Sequence, residues 1–88
     1  MIGKLFSLEI LTPRRKLFSG SVTSLVAPAA LGYLGILANH APLVVTLAPG
    51  KVIFRGERGA ATTLRSSGSG LLEVHKNRVT LLAEAIAI

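Results

Sequence analysis

The chain has 88 residues, half of them hydrophobic, and ten Lys plus Arg against four acidic residues leave a formal charge of +6. Such a composition excludes a disordered chain, and the length predicts one small domain over residues 1–88, burying roughly 60–65% of its unfolded surface. There is no cysteine for a disulfide framework or a thiolate metal site, and no run approaches the ~20 apolar residues of a membrane-spanning helix.

Met1-Ile2-Gly3-Lys4 runs straight into Leu5-Phe6-Ser7-Leu8 with no signal-like apolar block. The chain is therefore read as cytosolic, or as lying on the cytosolic face of a membrane. Over residues 4–11, Phe6, Leu8 and Ile10 form an apolar set that would face a core, which predicts a half-buried strand. Thr12-Pro13-Arg14-Arg15 reads as a turn, Lys16–Ser19 as a short strand, and Gly20 as a bulge or tight bend. Ser21 to Pro28 is β-branched and reads as a strand that Pro28 ends.

Gly32 to Gly50, GYLGILANHAPLVVTLAPG, is the stretch around which the rest is arranged. Gly32 and Gly35 are expected where the backbone needs positive φ or close approach. Leu31 and Tyr33 stand where a solvated turn belongs, which suggests a partner surface or an internal plug. Leu43–Leu47 is a continuous apolar run, as expected of a strand covered on both faces or of a crossover between sheets. Pro49-Gly50 turns the chain into a strand at Lys51–Arg55, and Gly56–Gly59 has hairpin-loop composition.

Ala60–Arg65 returns as a strand. Ser66–Gly70 is a run of small residues, read as a hinge or bulge. Leu71–His75 is predicted to pair with Arg78–Leu82 across a tight turn at Lys76-Asn77. Ala83 to Ile88 either finishes that strand or frays. The sum is about ten short strands with no sustained 3.6-residue period, which predicts an all-β, two-sheet sandwich or flattened barrel.

Chemistry is sparse. The four acidic residues are all Glu and scattered, so paired-carboxylate catalysis has no basis. Two histidines 35 positions apart, His40 and His75, make a poor metal set. Ser67–Gly70 lacks the Lys-Ser/Thr that a phosphate loop needs, and with no Asp there is no Ser-His-Asp triad. No catalytic residue, cofactor or metal is expected. His40 is either bonded to local backbone or a contact residue at a binding tip. The positive charges either blunt sheet edges or form a basic binding face.

In order along nearly the whole chain stand Leu8-Glu9-Ile10 with Thr12-Pro13, Leu17-Phe18-Ser19-Gly20, Gly32-Tyr33-Leu34-Gly35-Ile36-Leu37 and Asn39-His40-Ala41-Pro42-Leu43. Pro49-Gly50, Ser69–Val74 and Asn77–Ala83 follow. With these blocks the chain resembles the N-terminal β-sandwich of the epsilon subunit of the rotary F-type ATP synthase, known as delta in mitochondria. The resemblance implies a non-catalytic rotor part of the central stalk. Such a part packs on the gamma subunit and the membrane c-ring, reaches the alpha/beta catalytic head only indirectly, and binds no nucleic acid. Its place would be the cytoplasmic face of the bacterial inner membrane, rather than a thylakoid or mitochondrial one. The implied ring-facing residues are Leu31, Gly32, Tyr33, Leu34, Asn39, His40, Ala41, Pro42 and Leu43.

Three departures from the family stand out. Ala38 occupies a usual proline position, the tip at Tyr33 lacks the family's frequent acidic residue, and the sequence stops before the family's C-terminal helical hairpin. The expectation is a coupling subunit without hairpin inhibition. From the residues alone, a small basic β-barrel that binds nucleic acid is the competing reading, supported by charge and opposed by the few aromatics, Phe6, Phe18, Tyr33 and Phe54. A lipid-binding domain inserting Leu31 and Tyr33 is a weaker third.

Overall fold

Alternation in the first strand sets the core. In the computed structural model, which describes residues 4–87, Phe6, Leu8 and Ile10 of β1 (Phe6–Leu11) are buried, while Ser7, Glu9 and Leu11 are only partly covered. The Met1–Gly3 start and the Ile88 end of the last expected strand lie outside the described residues. β2 (Lys16–Ala29), β3 (Gly32–Ile36), β4 (Leu43–Leu47), β5 (Gly50–Gly56), β6 (Ala61–His75) and β7 (Arg78–Ala87) follow, with no helix among the described residues.

The all-β expectation holds, with seven strands rather than about ten. The count falls because neither Gly20 nor the Ser66–Gly70 run splits its strand in two. Gly20 neither bulges nor bends off a new strand: it stays in β2 opposite Leu8, and the Phe18 aromatic ring lies 3.1 Å from where a Cβ would sit, covering the missing side chain. Pro28 marks the end of β2 to within one residue, since the strand stops at Ala29. Pro28 is buried, pairs with Tyr33, and its carbonyl accepts the Ala48 N–H at 2.8 Å.

Ser66–Gly70 is the bulge, within a single strand of 15 residues. Pairing with β7 steps from Ser67↔Ala85 to Gly70↔Ala83, so Gly68 and Ser69 together oppose Glu84. Gly68 supplies the φ of 73° that this requires, and the Glu84 carboxylate accepts the Ser69 N–H (2.9 Å) and hydroxyl (2.6 Å). Lys76 and Asn77, with φ of 49° and 61°, make the expected two-residue turn into β7.

Pairing runs β1–β7–β6–β5–β2 and returns from β2 to β1, closing a flattened barrel. β4 and β5 lie end to end along β6, and β1 and β3 both pair with β2, so the two long strands belong to both walls. Leu8, Ile10, Val22, Leu25, Val52, Leu72 and Leu81 are fully buried between those walls. β4 is not covered on both faces. Leu43, Val45 and Leu47 turn inward, but Val44 and Thr46 are exposed, because side chains alternate along the strand and only its inner face meets the core.

Candidate partner-binding surfaces

The candidate residues divide at β3. At its start, the turn Ala30-Leu31 presents a fully exposed Leu31. Gly32 follows with φ 131°, a conformation that a side chain rarely adopts, so glycine is needed there. Gly35 has no such need, since its φ is not positive and nothing lies within 4 Å of where a Cβ would sit. Tyr33 is 61% exposed, yet its hydroxyl accepts the Lys51 N–H at 3.0 Å. Gly50 makes this crossing possible: a Cβ there would lie 2.8 Å from both the Tyr33 hydroxyl and Pro28 Cβ.

At the other end of β3 lies the loop Leu37–Pro42. Asn39 takes φ 63° and gives its N–H to the Asn77 side-chain oxygen at 2.7 Å, while Asn77 Nδ2 donates to the Leu5 carbonyl at 3.0 Å. The β6–β7 turn thus ties this loop to the start of β1. His40 is half-buried, with Nδ1 2.7 Å from the Ala41 carbonyl oxygen. A carbonyl only accepts, so Nδ1 is the donor in this bond. The two segments therefore differ in setting: Gly32, Tyr33 and Leu34 are the first three residues of β3 itself, whereas Asn39–Pro42 belong to the loop beyond its end and Leu43 opens β4.

Register reveals a surface that strand-by-strand reading missed. Leu11 pairs with Leu82, Leu82 with Leu71, and Leu71 with Thr46, a row across β1, β7, β6 and β4. All four point away from the core, and Val44 adds to the row from β4. Val44 is 65% exposed, Leu71 47% and Leu82 41%. A shallow groove beside this row is lined by Val44, Thr46, Leu71 and, from the β2–β3 turn, Leu31. The available signal was adjacent apolar pairs. In Val44-Val45, Leu71-Leu72 and Leu81-Leu82 one member must face outward in a strand.

Towards the β6–β7 turn the same face becomes polar, with Glu9, Glu73, His75, Arg78 and Thr80 around a second depression. Glu9 joins Lys16 at 2.9 Å, and that hydrogen bond, with the ammonium charge, holds its carboxyl below the ordinary carboxylate value. Ser69 does the same for Glu84 through its hydroxyl and its N–H. On the wall built from β5 and β6, Lys51 pairs directly with Arg65, both exposed. No three His or Glu side chains cluster among the described residues.

A sequence profile described as "ATP synthase, Delta/Epsilon chain, beta-sandwich domain" matches residues 5–88. The ATP synthase epsilon chain of Dichelobacter nodosus is 45% identical over 82 residues, 93% of this chain and 57% of that one. The chain thus spans little more than half the length of that relative. The epsilon chain of Chlorobaculum tepidum is 37% identical over 84 residues, 96% of this chain and 94% of that one. In the Euglena gracilis mitochondrial ATP synthase OSCP/F1/c-ring structure, one chain superposes with a TM-score of 0.89 at 21% identity, covering 99% of this chain and 55% of that one. At that identity the likeness shows the fold. With the profile matched across residues 5–88, the chain belongs to the ATP synthase delta/epsilon β-sandwich family.

Proposed function

We propose that this domain is a non-catalytic rotor part of the F-type ATP synthase central stalk, held by the gamma subunit and resting on the membrane c-ring on the cytoplasmic side of a bacterial inner membrane. The observation that carries this is the outward row Leu11–Leu82–Leu71–Thr46 with Val44. A lasting protein partner covers on the order of 800 Å² of each surface, with an apolar centre and a polar rim. The leucine row supplies such a centre, and Glu9, Glu73 and Arg78 supply one side of such a rim. We assign this face to gamma.

The two candidate segments take different places in this reading. Leu31, Gly32, Tyr33 and Leu34 form the tip that meets the membrane ring. Asn39, His40, Ala41, Pro42 and Leu43 lead into β4 and flank the gamma face, since Leu43 precedes Val44. The domain acts by contact: it transmits torque between partners, and its closed barrel serves as a stiff spacer.

The test is reconstitution of the chain with the gamma subunit and purified c-ring of its own source. Co-purification with gamma, abolished by Leu71→Lys with Leu82→Lys, is the expected result. A folded chain that binds neither gamma nor ring overturns the reading.

A further inference from the structure

Lys51 and Arg65 face each other across β5 and β6, both exposed. Directly opposed like charges destabilise a strand pair unless something neutralises them. The only ion pair among the described residues joins Lys16 to Glu9, on a different wall. The two cations stand on an unusually well-held piece of backbone. The Lys51 N–H is taken by the Tyr33 hydroxyl, Gly50 is packed against Pro28, and the buried Ser66 hydroxyl, next to Arg65, lies 3.4 Å from both the Ala48 and Gly50 carbonyls. Tyr33 thus links this pair to the exposed Leu31 turn two residues earlier.

We propose that Lys51 and Arg65 form a two-cation site for carboxylates on the polar loops of the membrane ring, engaged when the Leu31–Tyr33 tip seats on it. This deepens, and rests on, the rotor reading above. Charge complementarity selects the occupant. Two cationic residues on directly paired backbone positions match one or two carboxylates, and two long exposed side chains meeting an acidic loop steer docking as well as hold it. An anionic bilayer fits less well, because stable attachment draws on clusters of about 4–8 basic residues or a second anchor, and here a single leucine projects. A nucleic acid strand needs stacking platforms, and the Tyr33 side chain is already committed across Gly50.

The experiment compares the wild-type chain with Lys51→Glu/Arg65→Glu, each assembled on gamma and titrated with the purified c-ring of the same source. Circular dichroism and gamma binding serve as checks of folding. The expected result is unchanged gamma binding, ring binding weakened about tenfold or more, and loss of most of its salt dependence. Recovery when a ring-loop carboxylate is changed to Lys would identify the contact. Ring binding that is indifferent to the double reversal overturns the site while leaving the rotor reading intact. Loss of wild-type binding to both gamma and ring sinks the rotor reading itself. Stronger wild-type binding to vesicles containing phosphatidylglycerol than to the ring, removed by the same reversal, reassigns the cations to lipid and overturns the proposal.

Discussion

The side-chain oxygen of Asn77 accepts the backbone N–H of Asn39 at 2.7 Å, across 38 positions of sequence. One residue of the β6–β7 turn thereby sets the loop that carries His40, and its amide nitrogen simultaneously holds the Leu5 carbonyl. Asn77 also needs its left-handed backbone, φ 61°. Asn77→Gly keeps that backbone and loses the two side-chain bonds, for an expected cost of about 1–2 kcal/mol. Asn77→Ala adds the left-handed penalty of about 1 kcal/mol more. Urea unfolding of the two variants should rank them in that order, and equal midpoints would contradict it.

Gly70 and Gly35 make opposite predictions from the same substitution. A Cβ at Gly70 would sit 2.2 Å from the Leu82 carbonyl oxygen, which is backbone and cannot swing away. Gly70→Ala is expected to cost about 3 kcal/mol or more, or to abolish folding. Gly35→Ala meets open space at an ordinary strand φ and should be neutral or stabilising by up to about 1 kcal/mol. Thermal denaturation of both proteins decides.

Acid should loosen the bulge. Ser69 holds the Glu84 carboxyl below its ordinary value of 4.5, so the folded state favours the ionised form. Its contribution is present above the unfolded pKa and is lost as pH falls through the lowered folded one. Glu9, lowered by Lys16, behaves likewise. Stability measured from pH 6 downward should therefore decline below about pH 4.5, the ordinary value, and the decline should be shallower in Glu84→Gln. A pH profile unchanged by that substitution would remove Glu84 as a source.

The proposed gamma face predicts that the exposed leucine row can be changed without harming the core. Leu71→Lys with Leu82→Lys replaces two outward side chains, so the expected change in stability is within about 1 kcal/mol, while affinity for gamma should fall about 100-fold. Leu72→Lys, one position away but fully buried, should instead unfold the domain. If the surface pair destabilises as much as Leu72→Lys, the row belongs to the core.

Tyr33→Phe separates clamp from contact. It removes the acceptor for the Lys51 N–H and should cost about 1 kcal/mol in urea unfolding, while leaving the aromatic surface of the tip in place. Amide exchange at Lys51 should speed up in the variant, and an unchanged rate would show that the bond is not formed in solution.

Local pattern carried much of this domain. Alternation in Phe6–Ile10, the Lys76-Asn77 turn and the small-residue bulge before Leu71 were legible because each depends on neighbours within a few residues. The motif blocks from Leu8 to Ala83 were also enough to name the family. Breaks were over-counted, because whether a glycine interrupts a strand depends on what covers it. Only the fold puts the Phe18 ring over Gly20 and the Glu84 carboxylate beside Ser69.

By itself, then, the sequence determined the all-β class, the core-facing set Phe6, Leu8 and Ile10, and the family. Tertiary structure alone decided that Leu11, Leu82, Leu71 and Thr46 form one outward row, that Lys51 stands opposite Arg65, and that Tyr33 and His40 lie at opposite ends of β3. The physical reason is register. Side chains alternate along a strand whatever its neighbours are, but which ones share a surface is set by how strands far apart in sequence align, and a shift of one residue would turn each of those faces inside out.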